Sequence, residues 1–181
     1  MGWLKFGERL KRIRVLPRYY FVVSGAALSP VSPLNAFDGA LKMAGVHNTN
    51  LVEVSSILPK GVRHLDLTRE EVEALFEPGE IIYTVRACEM GRDGEWVSAG
   101  LIWGEGLDAN GLVAEHSQVI SSKGDLKREE LREGMKELMR AEFQEGVHIR
   151  GLTTREPRLE TAEIFVPEGM YGCAIALLVL C

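Results

Sequence analysis

Two hydroxyls stand side by side at Ser55-Ser56, between the apolar run Leu51-Val52-Glu53-Val54 and Ile57-Leu58-Pro59. A serine held at a strained strand end can attack the carbonyl carbon of the residue before it. The amide then becomes an ester, elimination leaves a dehydroalanine, and hydrolysis yields a pyruvoyl group, a ketone that condenses with amines and accepts electrons. Ser56 would provide the hydroxyl and Ser55 the carbonyl. A serine ending a strand is also an ordinary turn residue, and a second pair, Ser121-Ser122, occurs in the same chain. Residue types alone leave both readings open.

A carboxylate follows in Gly111-Leu112-Val113-Ala114-Glu115-His116. Within an apolar strand Glu115 must be solvated, paired or functional. Partial burial would raise its pKa and keep a proton at hand for a carbanion. Glu105, in Gly104-Glu105-Gly106, is the alternative acid, although its flanking glycines suit an exposed turn.

The elements that must position these groups read as a mixture of strands and helices. Tyr19-Tyr20-Phe21-Val22-Val23 is aromatic and β-branched, the pattern of a buried strand. Ser24-Gly25 then leads through Ser29-Pro30-Val31-Ser32-Pro33, a loop. Asn35 is placed to cap a helix running to about Ala44 with Gly45 as its stop, which puts Asp38 three residues past the cap, where an acid complements a helix N-terminus. Asn50 opens the strand that delivers the serine pair. Thr68-Arg69-Glu70-Glu71 starts a short capped helix. Residues 81–88 and 96–103 read as strands paired across a Gly91-Arg92-Asp93-Gly94 turn.

Residues 126–145 carry the longest amphipathic pattern, with Leu131, Met135, Leu138, Met139 and Phe143 inward and alternating charges on a solvated face. Ser121-Ser122 falls in the loop before that helix. Residues 158–166 and 169–181 are strands, the last nearly all apolar and therefore central. Trp3, Leu4, Phe6, Leu10 and Ile13 recur at helical spacing among basic residues, a short amphipathic extension.

Composition narrows the classes further. With 181 residues, 46% hydrophobic and 26% charged, one compact domain is expected. A net charge of −5 argues against a general nucleic-acid binder. No apolar stretch reaches membrane-spanning length, and the first residues lack a cleavable apolar run, so no membrane partner is expected. Cys88, Cys173 and Cys181 are odd in number and without a Cys-x-x-Cys, which suits reduced thiols in the cytoplasm. His47, His64, His116 and His148 lack metal-ligand spacing, and no metal is expected. A phosphate-binding reading of the Gly25 loop lacks its glycine and lysine signatures.

The run Pro33-Leu34-Asn35-Ala36-Phe37-Asp38-Gly39-Ala40-Leu41, with Asn50-Leu51-Val52-Glu53-Val54-Ser55-Ser56-Ile57-Leu58-Pro59, closely resembles the pyruvoyl-dependent arginine decarboxylases. The Glu115 segment and Gly172-Cys173-Ala174-Ile175-Ala176 are similar to further blocks of that family, over residues 18 to 181. The resemblance implies an α+β fold, a four-layer αββα sandwich, as one domain with residues 1–17 as an N-terminal extension. It implies self-cleavage between Ser55 and Ser56 into chains 1–55 and 56–181. The cofactor would be a pyruvoyl group derived from Ser56, with neither pyridoxal phosphate nor metal. Asn50 would assist cleavage by donating to the oxyanion on the Ser55 carbonyl, and Glu115 would be the proton donor. Asp38 and Leu34 would bind substrate, Asp38 by pairing with a planar guanidinium. The reaction implied is L-arginine to agmatine plus carbon dioxide in polyamine synthesis, by a cytoplasmic homotrimer with sites at subunit interfaces. The alternatives are a decarboxylase of another amino acid and an uncleaved, non-catalytic homologue acting as a subunit or regulator.

Overall fold

The computed structural model describes residues 15–121 and 127–181, so the amphipathic extension read over residues 3–13 lies outside the described residues. In chain order the elements are β1 (Tyr19–Ser29), α1 (Pro33–Met43), β2 (Asn50–Glu53), β3 (Ile57–Leu58), β4 (Arg63–His64) and α2 (Arg69–Leu75). They continue with β5 (Ile81–Arg92), β6 (Glu95–Gly104), β7 (Gly111–Ser121), α3 (Arg128–Ile149), β8 (Arg158–Val166) and β9 (Tyr171–Leu180). One sheet has the order β2-β5-β9-β1-β4 and the other β3-β7-β6-β8.

Three apolar clusters define four layers. Between the sheets, Tyr20, Val85, Ala174, Ala176 and Leu178 meet Val97, Leu101, Trp103 and Val113. On the outer face of the first sheet, Phe21, Ile175, Leu177 and Val179 pack under Ala36, Ala40 and Leu41 of α1 and Val72 of α2. On the outer face of the second, Ile102 and Leu112 pack under Met135, Met139 and Phe143 of α3. This is the αββα sandwich expected. Burying β9 on both faces requires a layer on each side of it, and the alternation of its side chains supplies both contacts.

Several local expectations are corrected. β1 runs on through Gly25 to Ser29, because its small residues let α1 lie close: a Cβ on Gly25 would stand 2.3 Å from the Ala40 carbonyl oxygen. The cap of α1 is Ser32, whose hydroxyl accepts from the Asn35 N–H at 3.1 Å, with Pro33 in the first turn, where its missing N–H costs nothing. The helix ends at Gly45 (φ 81°), with the Val46 N–H reaching back to the Leu41 carbonyl and the Gly45 N–H to the Lys42 carbonyl. β5 and β6 do not pair with each other; the turn at Asp93-Gly94 carries the chain from one sheet to the other.

Ser121 is the last residue of β7 and not part of a loop, whereas Ser122 lies outside the described residues. Leu138 is 49% exposed, off the apolar face of α3. Nor is the basic face of α3 wholly solvated. Arg128 and Arg132 both bond the carboxylate of Glu163, which is buried on β8.

Gly25→Ala should destabilise the fold by about 1–3 kcal/mol, because the atom it would strike belongs to the helix backbone and cannot swing aside. Urea titration followed by circular dichroism measures this, and an unchanged midpoint would refute it.

Candidate active site

The serine pair marks the point where the chain leaves one sheet and enters the other. β2 pairs in parallel with β5, and the Val54 N–H extends that ladder with a 2.9 Å bond to the Thr84 carbonyl. Three residues later β3 begins, paired antiparallel to β7 with Ile57 opposite Leu112. The change of sheet occurs at Ser55-Ser56. The Ile57 N–H turns back onto the Ser55 carbonyl at 2.8 Å, closing a three-residue turn about Ser56. The Val113 N–H holds the Ser56 carbonyl at 2.9 Å.

β7 then places Glu115 beside the corner. The Ser56 hydroxyl donates to the Glu115 carboxylate (Oγ to Oε2, 2.8 Å). Glu115 is exposed within the single chain, so the partial burial expected of it is not provided by its own strand. Ser56 and Glu115 line a pocket of about 240 Å³ with Leu112, Glu142, Gly146 and Arg150. A second pocket of similar size joins Glu115 to His116, Glu53 and Arg86, the last two paired at 2.9 Å. His116 Nδ1 lies 3.1 Å from Glu142. Two larger clefts of about 400 and 430 Å³, one under α3 and one along β8, include neither Ser56 nor Glu115.

Glu105, the competing acid, is engaged elsewhere. It accepts from the Tyr20 hydroxyl and, at 2.8 Å, from Arg158, while the Trp103 indole donates to the Tyr20 oxygen at 3.1 Å. Its carboxylate is largely buried, not in the exposed turn its flanking glycines suggest. The burial of Tyr20 and its hydrogen bond to Glu105 push the phenol above its ordinary value, since ionising it would set two negative charges together. Burial pushes the neighbouring His64 below its ordinary value, and the Arg158 charge adds to this.

The other expected residues lie apart from this corner. Asn50 spends its side-chain amide on the Gly79 carbonyl at 2.7 Å. It opens β2, about 16 Å of extended chain from Ser55. Asp38 is exposed in the second turn of α1, beyond the capping position, so its carboxylate is not committed to the helix N-terminus. Leu34, on the same helix, is 66% exposed. Neither pocket lined by Glu115 includes Leu34, Asp38 or Asn50. Conversely, Glu142 of α3 and Arg150 at its C-cap line the Ser56 pocket; the sequence pattern singled out neither, and Arg150 lies beyond the helix read over 126–145.

A nucleophilic hydroxyl, a carboxylate that accepts its proton and an adjacent carbonyl held by an N–H are the parts of a self-processing site. Residues 19–181 match the family model for pyruvoyl-dependent arginine decarboxylase. The pyruvoyl-dependent arginine decarboxylase of Pyrococcus furiosus is 33% identical over 151 residues, 81% of this chain and 85% of that protein. That of Methanopyrus kandleri is 32% identical over 164 residues, 91% of this chain and 97% of that protein. Among solved structures, a pyruvoyl-dependent histidine decarboxylase at pH 8 superposes with a TM-score of 0.49 and 14% identity, over 56% of this chain and 51% of that one. The chain belongs to the pyruvoyl-dependent arginine decarboxylase family. The family's cofactor is a pyruvoyl group, and the corner suits one. Both carbonyls flanking Ser56 already have N–H partners, and a group made from Ser56 itself needs no added space.

The Tyr20–Glu105 contact makes stability depend on pH in one direction. Because the folded pKa of Tyr20 exceeds its unfolded value, its contribution is complete below about pH 10 and is lost as pH rises beyond that. Urea midpoints measured from pH 8 to 11 should fall steeply in wild type and less in Tyr20→Phe. Equal slopes would remove Tyr20 as the cause.

Proposed function

We propose that this chain cuts itself between Ser55 and Ser56, giving chains 1–55 and 56–181 of one domain, and decarboxylates L-arginine to agmatine. The observation that carries this reading is the 2.8 Å contact between the Ser56 hydroxyl and Glu115, at the serine pair of a chain that matches the family from residue 19 to its end. A pyruvoyl group supplies a ketone that condenses with an α-amine and accepts the electrons left when carbon dioxide departs.

The chain's own residues do the rest. Glu115, within reach of residue 56, delivers a proton to the carbon that has lost carbon dioxide. The Val113 N–H keeps the residue 56 carbonyl oriented. Asp38 receives the guanidinium, a task to which its freedom from helix capping lends support. Leu34 walls the aliphatic part of the substrate.

Because α1 lies on the outer face of the first sheet and Ser56 at the opposite edge of the sandwich, we further propose that Asp38 and Leu34 serve a neighbouring copy's Ser56. The assembly proposed is a homotrimer with sites between subunits. It would act in the cytoplasm, where thiols such as Cys88 and Cys173 persist unpaired.

Denaturing electrophoresis with intact-mass analysis, with and without hydroxylamine, tests scission and the ketone together. Two chains, the larger trapped by the reagent, are expected. One intact and inert chain would overturn the enzyme in favour of a non-catalytic homologue. Asp38→Asn should raise KM for arginine by about 10–100-fold without stopping scission, the loss of one charge-assisted pair. Unchanged arginine kinetics would remove Asp38 from the pocket. Glu115→Gln should slow scission, since the Ser56 proton loses its acceptor, and kcat of the cleaved fraction should fall by about 10²–10⁴-fold; normal turnover would require a different acid.

A further inference from the structure

We propose that the backbone N–H of Ile57 is the oxyanion donor for scission of the Ser55–Ser56 bond, a role that rests on the self-cleaving reading above. Its nitrogen lies 2.8 Å from the Ser55 carbonyl oxygen, the atom that takes the negative charge when the Ser56 hydroxyl attacks. Among the described residues it is the one donor on that oxygen. The Asn50 amide, the donor suggested by the sequence, is held by Gly79, and the Val113 N–H serves the Ser56 carbonyl, which stays intact throughout.

The position of Ile57 in the sheet explains why this donor is free. β3 is an edge strand whose partner β7 lies on one side only. The ladder bond at this point runs from the Val113 N–H to the Ser56 carbonyl, which leaves the Ile57 N–H facing away from β7. At an open edge that group would ordinarily meet water or another strand. The turn about Ser56 instead points it at the carbonyl to be broken. The same turn brings the Ser56 hydroxyl to Glu115, so nucleophile, proton acceptor and oxyanion donor are all set by one three-residue bend.

The sequence needs no redox partner and takes up one water, in its last step. Ser56 Oγ bonds to the Ser55 carbonyl carbon as its proton passes to Glu115, and the carbonyl π pair moves onto oxygen. A five-membered ring results, its oxyanion facing the Ile57 N–H. Collapse breaks the bond from the Ser55 carbon to the Ser56 nitrogen, which takes up the proton and leaves an ester. Elimination then removes the Ser56 Cα proton and expels the Ser55 carboxylate. One water finally replaces the nitrogen, which leaves as ammonia.

The test replaces Ile57 in the full chain by its α-hydroxy acid, which keeps the side chain and deletes only the N–H. Scission, followed by intact mass, should slow about 10²–10³-fold, the usual loss for one such donor. Ile57→Ala, which retains the N–H at a residue 38% exposed, should cleave at the wild-type rate. Ile57→Pro removes the same N–H with a coded residue and should be slowed like the ester. Deletion variants that fold like wild type and cleave as fast overturn the assignment alone. A wild-type chain that never cleaves overturns it together with the decarboxylase reading. Amide hydrogen exchange in the uncleavable Ser56→Ala precursor is independent of these variants. The Ile57 amide should be protected there, and exchange at the rate of a free amide would also overturn the proposal.

Discussion

A strand that is apolar on both faces cannot lie at an edge or meet water on either side, and β9 is such a strand. Cys173, Ile175, Leu177 and Val179 face the helices, while Ala174, Ala176, Leu178 and Leu180 face the second sheet. Its hydrogen-bonding edges are filled by β1 and β5. Each neighbour positions a segment that holds a candidate residue. β1 supplies the Gly25 shelf on which α1 rests, and β5 pairs with β2, which leads to the serine corner. The burial of one C-terminal strand thus determines where α1 and the serine corner stand.

The corner itself is a contest between two ladders. β2 is tied to β5 through Val54, and β3 is tied to β7 from the Ser56 carbonyl onward, leaving the two peptides either side of Ser55 to absorb the change of sheet. The two glutamates weighed as the acid are used differently. Glu115, in the middle of β7, meets the corner, whereas Glu105, just past β6, is bonded by Tyr20 and Arg158.

Much of this was legible in the residues because the signals were local. The nearly all-apolar run of 171–180 marked the central strand, and the capped helix read at Thr68 proved to carry a capping box with Glu71. The Ser55-Ser56 pair and Glu115 were readable from residue type and context. The cap of α1 was misread because Asn35 and Ser32 are both good caps. In the structure Pro33 takes the first helical turn, which places the cap on Ser32 just before it. The β5–β6 connection looked like a hairpin because a short glycine turn does not reveal whether its strands share a sheet. The pairing of Arg128 and Arg132 with Glu163, and the engagement of Asn50 by Gly79, join residues about thirty positions apart. No periodicity encodes such contacts. The near approach of Cys88 and Cys173, 4.0 Å between sulfurs on adjacent strands, was equally hidden by their separation in the chain.

The position of β1 between β9 and β4 gives any cut after Ser55 a lasting consequence. The severed N-terminal piece would own a strand in the middle of a sheet and the helix that covers it, so it could not leave without dismantling the core. Native, the two pieces would hold together as firmly as one. Once unfolded, they would be separate molecules that must find each other again, and recovery would depend on concentration. Maturation of this kind is a ratchet: the uninterrupted chain folds once, and the interlocked product inherits a shape that it could not easily regain alone.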